Sequence, residues 1–586
     1  MLESEKQGIP GDVLEKEWHK NDPDLLALEK LQRETNLHPL IALFLCNRGI
    51  KDTAGAHSFL HPSLKDLPSP FLLKDMDKAA HRLADAVRRR EKILIYGDYD
   101  ADGVTATAVL WLFLKRMGAA VSHYIPDRIR DGYGLKTEII RRFPDDKPDL
   151  LVTVDCGISN HEAVAFANGQ GIEVIITDHH CVPDVLPPAL AAINPKQPGC
   201  SYPDKELAGV GVAFNLIMAL RRVLFHDSTA GAWPDRERPN LKEYLDLVAI
   251  GTIADMVPLR GVNRILVKEG LKIIDRGRRP GVAALKAVGL VNTAKVSSYD
   301  IGFRLAPRLN AAGRMGSADD ALALLVTEDG VRAELIASGL DQANRRRQAV
   351  EEDMLAELAG YITEEVLQTE KALVYASPHW HRGVLGIVAS RLAAKYARPA
   401  ILFSLEDGKA RGSGRSAAGL DLYELLTGCR ELLEDFGGHR EAAGLSLREE
   451  NLPLFKEVFQ TAVSDKVTTE DLVPRLWLEG SVQLSILREK SFLSDFYLLP
   501  PFGMGNPNPL LDTSPVKIIE QRLIGEKHVK LRVHQDGRVW DAMGFNMAPL
   551  PDAEFLEAAL AFSLDTNNYQ GRESLQLRVM DLKVMG

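Results

Sequence analysis

The chain has 586 residues, of which 45% are hydrophobic and 26% are charged, and its 71 basic and 81 acidic side chains give a net charge of −10 at pH 7. This composition excludes a disordered or fibrous chain, and the length exceeds what one hydrophobic core can hold, so we expect three or four domains. The acidic balance argues against a protein that coats nucleic acid, although a local basic groove is compatible with it.

The cysteines and the N-terminus indicate a cytoplasmic protein. The five cysteines are scattered, odd in number and without a CxxC pair, which argues against a disulfide framework or a zinc cluster and favours a reducing compartment. The first residues, MLESEKQGIPGD, lack the basic and apolar regions of a signal peptide. No apolar run approaches the roughly 20 residues that span a bilayer, so we expect no membrane association.

The first half of the chain predicts a helical attachment followed by an α/β domain. Residues 1–70 show helical spacing interrupted by prolines. Residues 71–329 alternate short apolar runs with helical stretches, which predicts a parallel sheet covered by helices on both faces. The stretch LKEYLDLVAIGTIADMVPL is ambiguous by period, and we interpret it as a helix that ends near Asp255.

The second half predicts a connector and two further domains. Residues 330–370, rich in Ala, Glu, Leu and Arg, predict one long helix between two lobes. Residues 371–465 return to an α/β pattern, with ALVYAS and PAILFSL as strands. In residues 466–586, segments such as KLRVH and LQLRVMDLKV alternate with period two, which predicts a small antiparallel barrel of the oligonucleotide-binding kind.

Acidic and imidazole side chains follow the predicted parallel strands of the first domain. ILIY runs into GDYDADG, LLVTV runs into DCG, and EVIIT runs into DHH. Sites in open parallel sheets form at the carboxyl ends of strands, so these segments should converge on one rim. A lone aspartate in such a place is more often a turn or helix-cap residue, but several strand ends sharing the pattern predict a metal site. The convergent residues are Asp98, Asp100, Asp102, Asp155, Asp178, His179 and His180, with Asp255 as an addition.

The ligand types indicate which metal this site holds. Many carboxylates with one or two imidazoles and no thiolate disfavour structural zinc and suit a hard divalent ion, with the imidazole favouring Mn²⁺ over Mg²⁺, which is also possible. So many acids suggest two ions, held about 3.5–4 Å apart, the arrangement that activates water at phosphorus.

The motifs in their order resemble the DHH phosphoesterase superfamily, and further strings narrow the resemblance to its RecJ family. The resemblance covers nearly all of the chain from about residue 70, and its specificity comes from the ordered set. The strings are DYDADG, DCG, DHH and GTIADMVPL for the superfamily, and RIRDGYGL, FRLAPRLNAAGRMGSADDAL, HRGVLGIVASRL, GSGRS, GGHREAAG and PFGMGNPNP for the family.

The resemblance implies the fold, the metal ligands and the reaction. It makes residues 71–329 the DHH catalytic domain, 371–465 the DHH-associated domain and 466–586 the oligonucleotide-binding barrel. Asp155 is the natural bridge between two ions, His180 more naturally holds the scissile phosphate, and Asp98 is the least certain ligand. Tyr96 stands four residues before Asp100, where many relatives have a histidine, so one of the two ions is expected to be held more weakly. The implied ligands are Asp98, Asp100, Asp102, Asp155, His179 and Asp255.

Other motifs predict contacts to the substrate, each with a simpler structural alternative. His439 in GGHREAAG, which could equally be a solvated helix-start turn, is interpreted with the resemblance as a contact to the scissile phosphate. Ser413 and Arg415 lie in a glycine-rich stretch that could grip a terminal phosphate or form a turn, and the resemblance adds Arg128 and Tyr133 to a pocket for the 5′ end. Candidates for further substrate contacts are Arg308, Asn310 and Arg314, expected in a loop where they could also cap a helix, and His381.

The resemblance implies a metal-dependent exonuclease that degrades single-stranded DNA from 5′ to 3′ into 5′-mononucleotides, in DNA repair and recombination. We also expect a monomer, with a helicase and a single-strand-binding protein as the partners that supply its substrate. Two alternatives remain open: a phosphoesterase for small substrates such as pyrophosphate or dinucleotides, against which the barrel speaks, and a replication scaffold without activity, against which the intact aspartates speak.

Overall fold

The computed structural model describes residues 16–143, 147–226, 237–291, 295–547, 556–569 and 572–585. The described chain forms a parallel-sheet lobe, a long connector helix, a second α/β lobe and a closed barrel, which confirms the expected fold class. The residue boundaries that we drew between these segments stay predictions. In the described part of the chain, no helix combines the length and the apolar character needed to cross a membrane.

The N-terminal segment packs on the barrel at the other end of the chain. Its apolar side chains, including Phe44 and Leu45, share one hydrophobic core with the barrel strands. Buried Arg48 clamps this contact, since its guanidinium donates to both carboxylate oxygens of Glu479, at 2.7 and 3.1 Å. The segment is helical as predicted, and it also contains a short strand. Its elements are β1 (Glu17–Lys20), α1 (Leu25–Glu34), α2 (Pro39–Asn47) and α3 (Thr53–Leu60).

The first lobe is built on five parallel strands in the order β3-β2-β4-β5-β6. Strands β2, β4, β5 and β6 are almost continuously apolar and buried, as expected where helices cover both faces, whereas in the edge strand β3 only Val121 is buried. The elements up to the last strand are α4 (Met76–Arg89), β2 (Lys92–Gly97), α5 (Ala101–Arg116), β3 (Ala120–Tyr124), α6 (Thr137–Ile140), β4 (Leu150–Val154), α7 (His161–Gly169), β5 (Glu173–Thr177) and β6 (Ala191–Ile193).

A group of helices completes the first lobe and leads to the connector. The ambiguous stretch is helical and ends immediately before Asp255, as predicted. The connector helix ends at Tyr361 rather than near residue 370, because Thr363 caps a separate short helix. These helices are α8 (Gly209–His226), α9 (Leu245–Ala254), α10 (Gly261–Asp275), α11 (Pro280–Val288), α12 (Ser298–Asp300), α13 (Ala306–Met315), α14 (Asp319–Val326), α15 (Gly330–Tyr361) and α16 (Glu364–Thr369), with a π-helical turn over Ile301–Leu305.

The second lobe has a five-stranded sheet in the order β10-β11-β9-β8-β7, in which only the pair β7 and β8 is parallel. The glycine-rich stretch around Ser413 and Arg415 is a strand of this sheet rather than a turn. Its elements are β7 (Leu373–Ser377), α17 (Leu385–Tyr396), β8 (Ala400–Glu406), β9 (Lys409–Arg415), α18 (Leu422–Gly428), β10 (Asp435–Gly438), β11 (Ala442–Arg448) and α19 (Leu452–Ser464).

The C-terminal domain is a five-stranded barrel that closes through pairing of its first and fourth strands, β14 and β17. Val529, Leu531 and Val533 point into its core, so the period-two pattern places the apolar side chains as predicted. The elements are β12 (Arg475–Leu478), β13 (Gly480–Ser481), α20 (Lys490–Phe496), β14 (Leu510–Ile524), β15 (His528–Gln535), β16 (Arg538–Gly544), β17 (Glu557–Tyr569) and β18 (Arg572–Val584).

Candidate metal centre and inter-lobe cleft

The carboxyl ends of the parallel strands bring the predicted ligands together. Among the residues that the structure describes, three sets of side chains have ligand atoms within 4.8 Å of one another. Asp155 and His179 each belong to two of these sets, so each links neighbouring sites. The sets are Asp98 with Asp100 and Asp155, Asp102 with His179 and Asp255, and Asp155 with His179 and His180.

Asp155 lies at the centre of this cluster in an unusual backbone conformation. It follows β4 directly, and its φ of +62° lies in the left-handed region that non-glycine residues rarely adopt. Such outliers concentrate at functional sites, where the surrounding structure enforces them. A Cβ on Gly209, at the start of α8, would collide with the Asp155 carboxylate, so a glycine is required there. The fold therefore aims the Asp155 carboxylate into the cluster.

Asp102 is fixed by the start of a helix. The backbone N–H groups of Gly209 and Val210 donate to its two carboxylate oxygens, at 2.7 and 2.9 Å. A carboxylate at a helix N-terminus is stabilised by the helix dipole and by these unpaired donors. Gly251 of α9 faces the same carboxylate, and a Cβ there would lie 2.9 Å from Asp102 Oδ1. The position of Asp102 is thus set before any ion binds.

Asp100 sits at the N-terminus of α5, where its carboxylate accepts a hydrogen bond from the Gly103 N–H at 2.9 Å. A second helix supports the same loop, because the Asn310 side-chain oxygen accepts from the Ala101 N–H at 2.8 Å. Asp98 is buried immediately before this cap. The DYDADG loop is therefore held both by its own helix and by α13.

His179 provides the imidazole of the cluster. Its Nε2 atom lies 3.2 Å from an Asp155 oxygen and 3.5 Å from an Asp255 oxygen. Burial, followed by the charge of His180, lowers the pKa of His179 to about 3, so the ring is neutral at physiological pH. A neutral imidazole between carboxylates is the form that ligates a metal.

Asp178 has a role that the sequence did not assign. Its buried carboxylate accepts from the backbone N–H of Ile158 at 2.9 Å and of His179 at 2.7 Å, and it lies 2.7 Å from His180 Nδ1. Burial opposes protonation of His180, but the hydrogen bond to Asp178 raises the pKa of this imidazole. Asp178 therefore orients His180 and favours its cationic form. Asp178 belongs to none of the ligand sets found among the described residues, and this distinguishes it from Asp102, which also accepts from backbone N–H groups.

The carboxylates of the cluster repel one another strongly in the metal-free protein. Burial, and next the charge of Asp100, raise the pKa of Asp102 to about 7. Burial and then the charge of Asp102 also raise the pKa of Asp155 and of Asp255 well above the usual range. Buried like charges at such distances are stable when cations lie between them.

Several buried ligand atoms of the cluster have no hydrogen-bond partner among the described residues. Unsatisfied buried polar atoms are rare in folded proteins because each carries a desolvation cost. Here they point at one another, which fits coordination of divalent ions by oxygen and imidazole nitrogen. These atoms are Asp98 Oδ1, Asp155 Oδ1, His179 Nε2 and Asp255 Oδ2.

The raised pKa values predict that protons compete with metal. Since the pKa of Asp102 is about 7, this carboxyl is largely protonated below that pH and must release its proton to ligate an ion. We expect Mn²⁺ affinity to increase severalfold between about pH 6 and about pH 8 and binding to release protons. Calorimetry in two buffers of different ionisation enthalpy measures both quantities. Equal affinity at the two pH values, without proton release, would contradict this account of the cluster.

Tyr96 does not contribute a ligand. Its ring is fully buried and stacks on Tyr124 with centroids 5.6 Å apart, and its hydroxyl donates to the Gly134 carbonyl at 3.0 Å. The set formed by Asp98, Asp100 and Asp155 is consequently all carboxylate. The tyrosine thus leaves this set without an imidazole, as the sequence indicated.

The second lobe brings one histidine to the metal centre. His439 lies in the turn between β10 and β11, so GGHREAAG forms a β-hairpin and not the helix-start turn considered as its alternative. The His439 and His180 rings are nearly parallel, with centroids 6.3 Å apart. Burial, and next the charge of His180, lower the pKa of His439 and favour its neutral form. The two lobes therefore face each other across a pair of imidazoles.

A cleft of about 490 Å³ lies between the lobes beside this pair. Arg128 and Tyr133 line it from the first lobe, together with Arg314 at the end of α13. Ser413 lines it from the second lobe, and Arg415 donates to the Ser413 hydroxyl at 3.2 Å. All four predicted residues of the 5′-end pocket are thus in one place, although their role stays a prediction.

A helix N-terminus adds to this positive environment. Gly386, in the first turn of α17, lines the cleft. A Cβ on Gly386 would lie 2.8 Å from an Arg415 nitrogen and 2.9 Å from Ser413 Oγ, so glycine leaves room for both side chains. The N-terminus of a twelve-residue helix, an arginine and a hydroxyl together form a site suited to a phosphate group.

The stretch APRLNAAGR is a helix and not the loop that we expected. Pro307 is tolerated because the preceding π-helical turn and the first turn of α13 do not need its N–H. Arg308 points away from the cleft into an ion pair with Asp341, at 2.8 Å, so its contacts favour a structural role. Asn310 and Arg314 face the metal loop and the cleft.

His381 is placed beside the cleft rather than at the metal centre. Its Nδ1 accepts from the Gly383 N–H at 3.1 Å, which shapes the turn before α17. Arg382 and Gly383 line the cleft. The predicted substrate contact of His381 stays a prediction.

The fourth strand end, after β6, carries residues that the sequence analysis missed. Asn194 is fully buried, and its amide donates to the His180 carbonyl at 2.9 Å. Burial raises the pKa of Asp255 and lowers that of His439, and in both it is the largest effect. The positive charge of Lys196, two residues after Asn194, lowers both pKa values by a smaller amount. The run AAI is only three residues long, too short for its period to identify it as a strand.

The carboxyl edge of the parallel sheet holds a cluster of carboxylates and imidazoles. A second lobe faces this edge across a cleft that suits a phosphate group. Together these features define a phosphoesterase of the DHH class. Family models agree: the DHH family N-terminal domain matches residues 92–252, and the DHHA1 domain matches residues 369–465. The RecJ OB domain matches residues 479–581.

The chain belongs to the RecJ family. It is 37% identical to the single-stranded-DNA-specific exonuclease RecJ of Bacillus subtilis, over 97% of this chain and 71% of that protein. It is 38% identical to the Escherichia coli protein of the same name, over 92% of this chain and 95% of that protein. The crystal structure of RecJ with Mn²⁺ from Thermus thermophilus superposes with a TM-score of 0.81 at 34% identity, covering 97% of this chain and 79% of that one. A second structure of that protein, with Mg²⁺, gives a TM-score of 0.73 at 32% identity, covering 97% and 78% of the chains.

Proposed function

We propose that the chain is a metal-dependent exonuclease that degrades single-stranded DNA from its 5′ end to 5′-mononucleotides, in DNA repair and recombination. The observation that carries the proposal is the cationic inter-lobe cleft directly beside the carboxylate–imidazole cluster. A strand end anchored in the cleft would present its first internucleotide phosphate to the cluster. Relatives named single-stranded-DNA-specific exonuclease support the substrate and the reaction.

Two divalent ions, with Mn²⁺ favoured and Mg²⁺ possible, fit the adjoining ligand sets of the cluster. Bound there, they would supply activation of the attacking water and neutralisation of charge at phosphorus. Asp98, Asp100 and Asp155 would hold one ion, and Asp102, His179 and Asp255 would hold the other. Asp155 would contribute to both sites, since its carboxylate also lies 3.2 Å from His179. Structures of a relative with each of the two ions support this choice.

The two facing imidazoles act on the scissile phosphate. His180, whose pKa is raised through Asp178, would donate a hydrogen bond to a non-bridging oxygen and stabilise the charge of the transition state. His439 would reach the same phosphate from the second lobe. Since His180 also belongs to one ligand set, a metal contact is its alternative role. Because the two rings come from different lobes, hydrolysis requires both lobes to be in place.

The cleft would determine that digestion starts at the 5′ end of the strand. Arg128, Arg415 and the Ser413 hydroxyl would hold a terminal 5′-phosphate against the N-terminus of α17. Arg314 lies deep in the same place, and burial followed by the charge of Arg128 lowers its pKa to about 9. Clustered buried cations of this kind are stabilised by an anionic ligand. If the cleft closes the DNA-binding groove at one end, a strand can enter it only with its 5′ terminus.

Arg415→Ala should weaken recognition of the 5′-phosphate. A charge-assisted hydrogen bond to a phosphate contributes about 1.5–3 kcal/mol, so we expect the preference for a 5′-phosphorylated over a 5′-hydroxyl strand to fall by about 10- to 100-fold. The measurement is kcat/KM on both strands for the variant and the parent. Arg532→Ala, on the outer face of the barrel, is the matched control. Unchanged discrimination in Arg415→Ala would remove Arg415 from the 5′-end pocket.

The length of the preferred substrate tests the proposed function against a small-molecule phosphoesterase. We expect a strand of about 20 nucleotides to be cleaved with a kcat/KM at least about tenfold above that of a dinucleotide, since base and phosphate contacts add binding energy. Equal values for the two substrates, or preferential hydrolysis of pyrophosphate, would favour a small substrate.

We further propose that the protein works in the cytoplasm as a monomer, on strands supplied by a helicase and covered by a single-strand-binding protein. The five free cysteines support the reducing compartment. An enzyme that accepts single strands and not duplexes needs strands that have been separated, which supports a helicase upstream.

A further inference from the structure

The string PFGMGNPNP carries neither a proposed metal ligand nor a predicted substrate contact. Its first six residues, 501–506, lie between α20 and the barrel strand β14, and we call them the PFGMGN loop. This loop packs on residues 256–260, which directly follow Asp255 in the chain and which we call the post-ligand segment. The C-terminal domain therefore contacts the backbone next to a proposed ligand of the metal centre.

Asp255 is held less directly than Asp102, which belongs to the same ligand set. Asp102 accepts from two backbone N–H groups at the start of α8, whereas Asp255 Oδ2 is buried and has no hydrogen-bond partner among the described residues. Asp255 is the C-cap residue of α9, and Met256 after it has a φ of +58°, a strained conformation that its surroundings must enforce. The direction of the Asp255 carboxylate thus depends on how the post-ligand segment is held.

Two hydrogen bonds and one close approach hold the post-ligand segment on the PFGMGN loop. The Leu259 N–H donates to the Met504 carbonyl at 2.8 Å. Arg260 Nε donates to the Gly505 carbonyl at 2.7 Å. Gly505 has a φ of +70°, and a Cβ there would lie 3.0 Å from Pro258 Cβ, so only glycine lets the two backbones approach this closely without strain.

The other side of the PFGMGN loop is locked into the C-terminal domain and the N-terminal segment. Asn506 is fully buried, and its amide donates to the Leu499 and Pro501 carbonyls at 2.9 and 2.8 Å. Its side-chain oxygen accepts from Arg48 Nε at 2.7 Å, and Arg48 is the residue that clamps Glu479. Buried polar networks with their partners in place are rigid. The loop can therefore transmit the position of the C-terminal domain to the post-ligand segment.

Helix α10, which begins where the post-ligand segment ends, docks on the same part of the C-terminal domain. Its Arg264 side chain is 1% exposed and donates through Nη2 to the carbonyls of residues 498–500, at 3.1, 2.9 and 3.1 Å. The Asn263 amide of the same helix donates to the Pro258 carbonyl at 3.1 Å. The post-ligand segment is thus held at its end by α10 and along its length by the PFGMGN loop.

We infer that the PFGMGN loop is a positioning element for Asp255, through which the C-terminal domain sets the affinity of the ion site formed by Asp102, His179 and Asp255. The inference rests on the metal centre of the proposed function. Residues that orient a metal ligand without touching the ion commonly change metal affinity by about 10- to 100-fold. Gly505 and Arg260 are the positioning residues, and their contacts can be altered separately.

Gly505→Ala tests the inference by metal binding. The added Cβ pushes on Pro258 and displaces the post-ligand segment, so we expect calorimetric titration to show one of the two Mn²⁺ ions bound about tenfold more weakly. Gly537→Ala is the matched control. Gly537, in the turn between β15 and β16, has a φ of +73°, and a Cβ there would meet nothing within 4 Å, so the substitution adds the same left-handed strain without the push. Gly537→Ala should bind Mn²⁺ like the parent.

The dependence of the rate on Mn²⁺ separates positioning from general damage to the fold. For Gly505→Ala we expect a reduced single-turnover rate at limiting Mn²⁺ and a rate within about twofold of the parent at saturating Mn²⁺, since mass action refills a weakened site. Its affinity for a single strand in the presence of a chelator should be unchanged. A folded Gly505→Ala that binds Mn²⁺ like the parent, or an equal loss of affinity in Gly537→Ala, would overturn the inference.

Arg260→Ala decides the question if Gly505→Ala does not fold. Loss of the hydrogen bond to the Gly505 carbonyl should weaken Mn²⁺ binding, and Arg260→Lys, which keeps a donor, should restore part of the affinity. Arg276→Ala, which removes an exposed arginine at the opposite end of α10, is the control. Parental Mn²⁺ affinity in Arg260→Ala would then overturn the inference. A parent protein that binds Mn²⁺ but does not digest single strands would instead overturn the proposed function.

Discussion

Asp155→Asn should abolish cleavage. Asp155 belongs to two of the three ligand sets and lies 3.2 Å from His179 of the third, so a neutral amide there weakens neighbouring sites at once. Loss of about 4 kcal/mol of electrostatic stabilisation corresponds to a rate reduced about 1,000-fold or more. Asparagine is the informative substitution because it tolerates the left-handed backbone at φ +62°, whereas alanine would add strain. The measurement is the single-turnover rate on a 5′-phosphorylated strand with saturating Mn²⁺.

The control for Asp155→Asn is the same substitution at another left-handed aspartate. Asp407, in the exposed turn between β8 and β9, has a φ of +51° and lies outside the ligand sets. Asp407→Asn should retain the parental rate. Binding of the strand to Asp155→Asn should persist, since the cleft residues are unchanged. If the rate of Asp155→Asn is within about tenfold of the parental rate, Asp155 does not hold two catalytic ions.

His439→Ala should lower kcat about 100-fold with little change in metal affinity. Deleting one preorganised donor to a developing charge reduces rates about 10²–10³-fold. His439 lies outside the three ligand sets, and its ring faces His180 from the second lobe. The separation of the two effects is therefore the expected signature of a phosphate contact. Steady-state kinetics and calorimetric Mn²⁺ titration measure them.

His81→Ala is the control for His439→Ala, because His81 lies on the exposed face of α4 and contacts Asp77 of its own helix. It should leave kcat unchanged. A kcat for His439→Ala within about twofold of the parent would exclude His439 from the reaction, and a large loss of Mn²⁺ affinity would make it a ligand instead.

The metal centre could be predicted from the sequence because parallel strands are regular. Buried strands such as ILIY and LLVTV are recognisable by composition, and the carboxyl ends of neighbouring parallel strands lie on one edge. That rule alone brings Asp98, Asp155 and His179 together, as the structure does. The strand before His179 is recognisable in the same way, because EVIIT is also a short apolar run.

Local conformation outside the sheet was less predictable. The stretch APRLNAAGR contains proline and glycine, which signal a loop, yet packing against the connector helix makes it helical. Ser413 and Arg415 lie among glycines that signal a turn, but pairing with β8 and β11 on both sides makes the stretch a strand. In both places tertiary contacts override local propensity.

Roles that depend on hydrogen-bond partners could not be predicted at all. Asp178 and Asp155 both follow a parallel strand, and only the fold shows that the Asp178 oxygens accept from backbone N–H groups and contact His180. The contact between the PFGMGN loop and the post-ligand segment is likewise invisible in the sequence, because 245 residues separate Arg260 from Gly505.

The measurement that tests the central claim most directly is digestion of a 3′-labelled strand with Mn²⁺, single-stranded and duplexed side by side, with a chelator in a third reaction. Because the label is at the 3′ end, digestion from the 5′ end shortens the labelled product progressively. The account predicts progressive shortening of the single strand, an intact duplex and no reaction with the chelator. An intact single strand with Mn²⁺, or immediate release of the label as a mononucleotide, would contradict it.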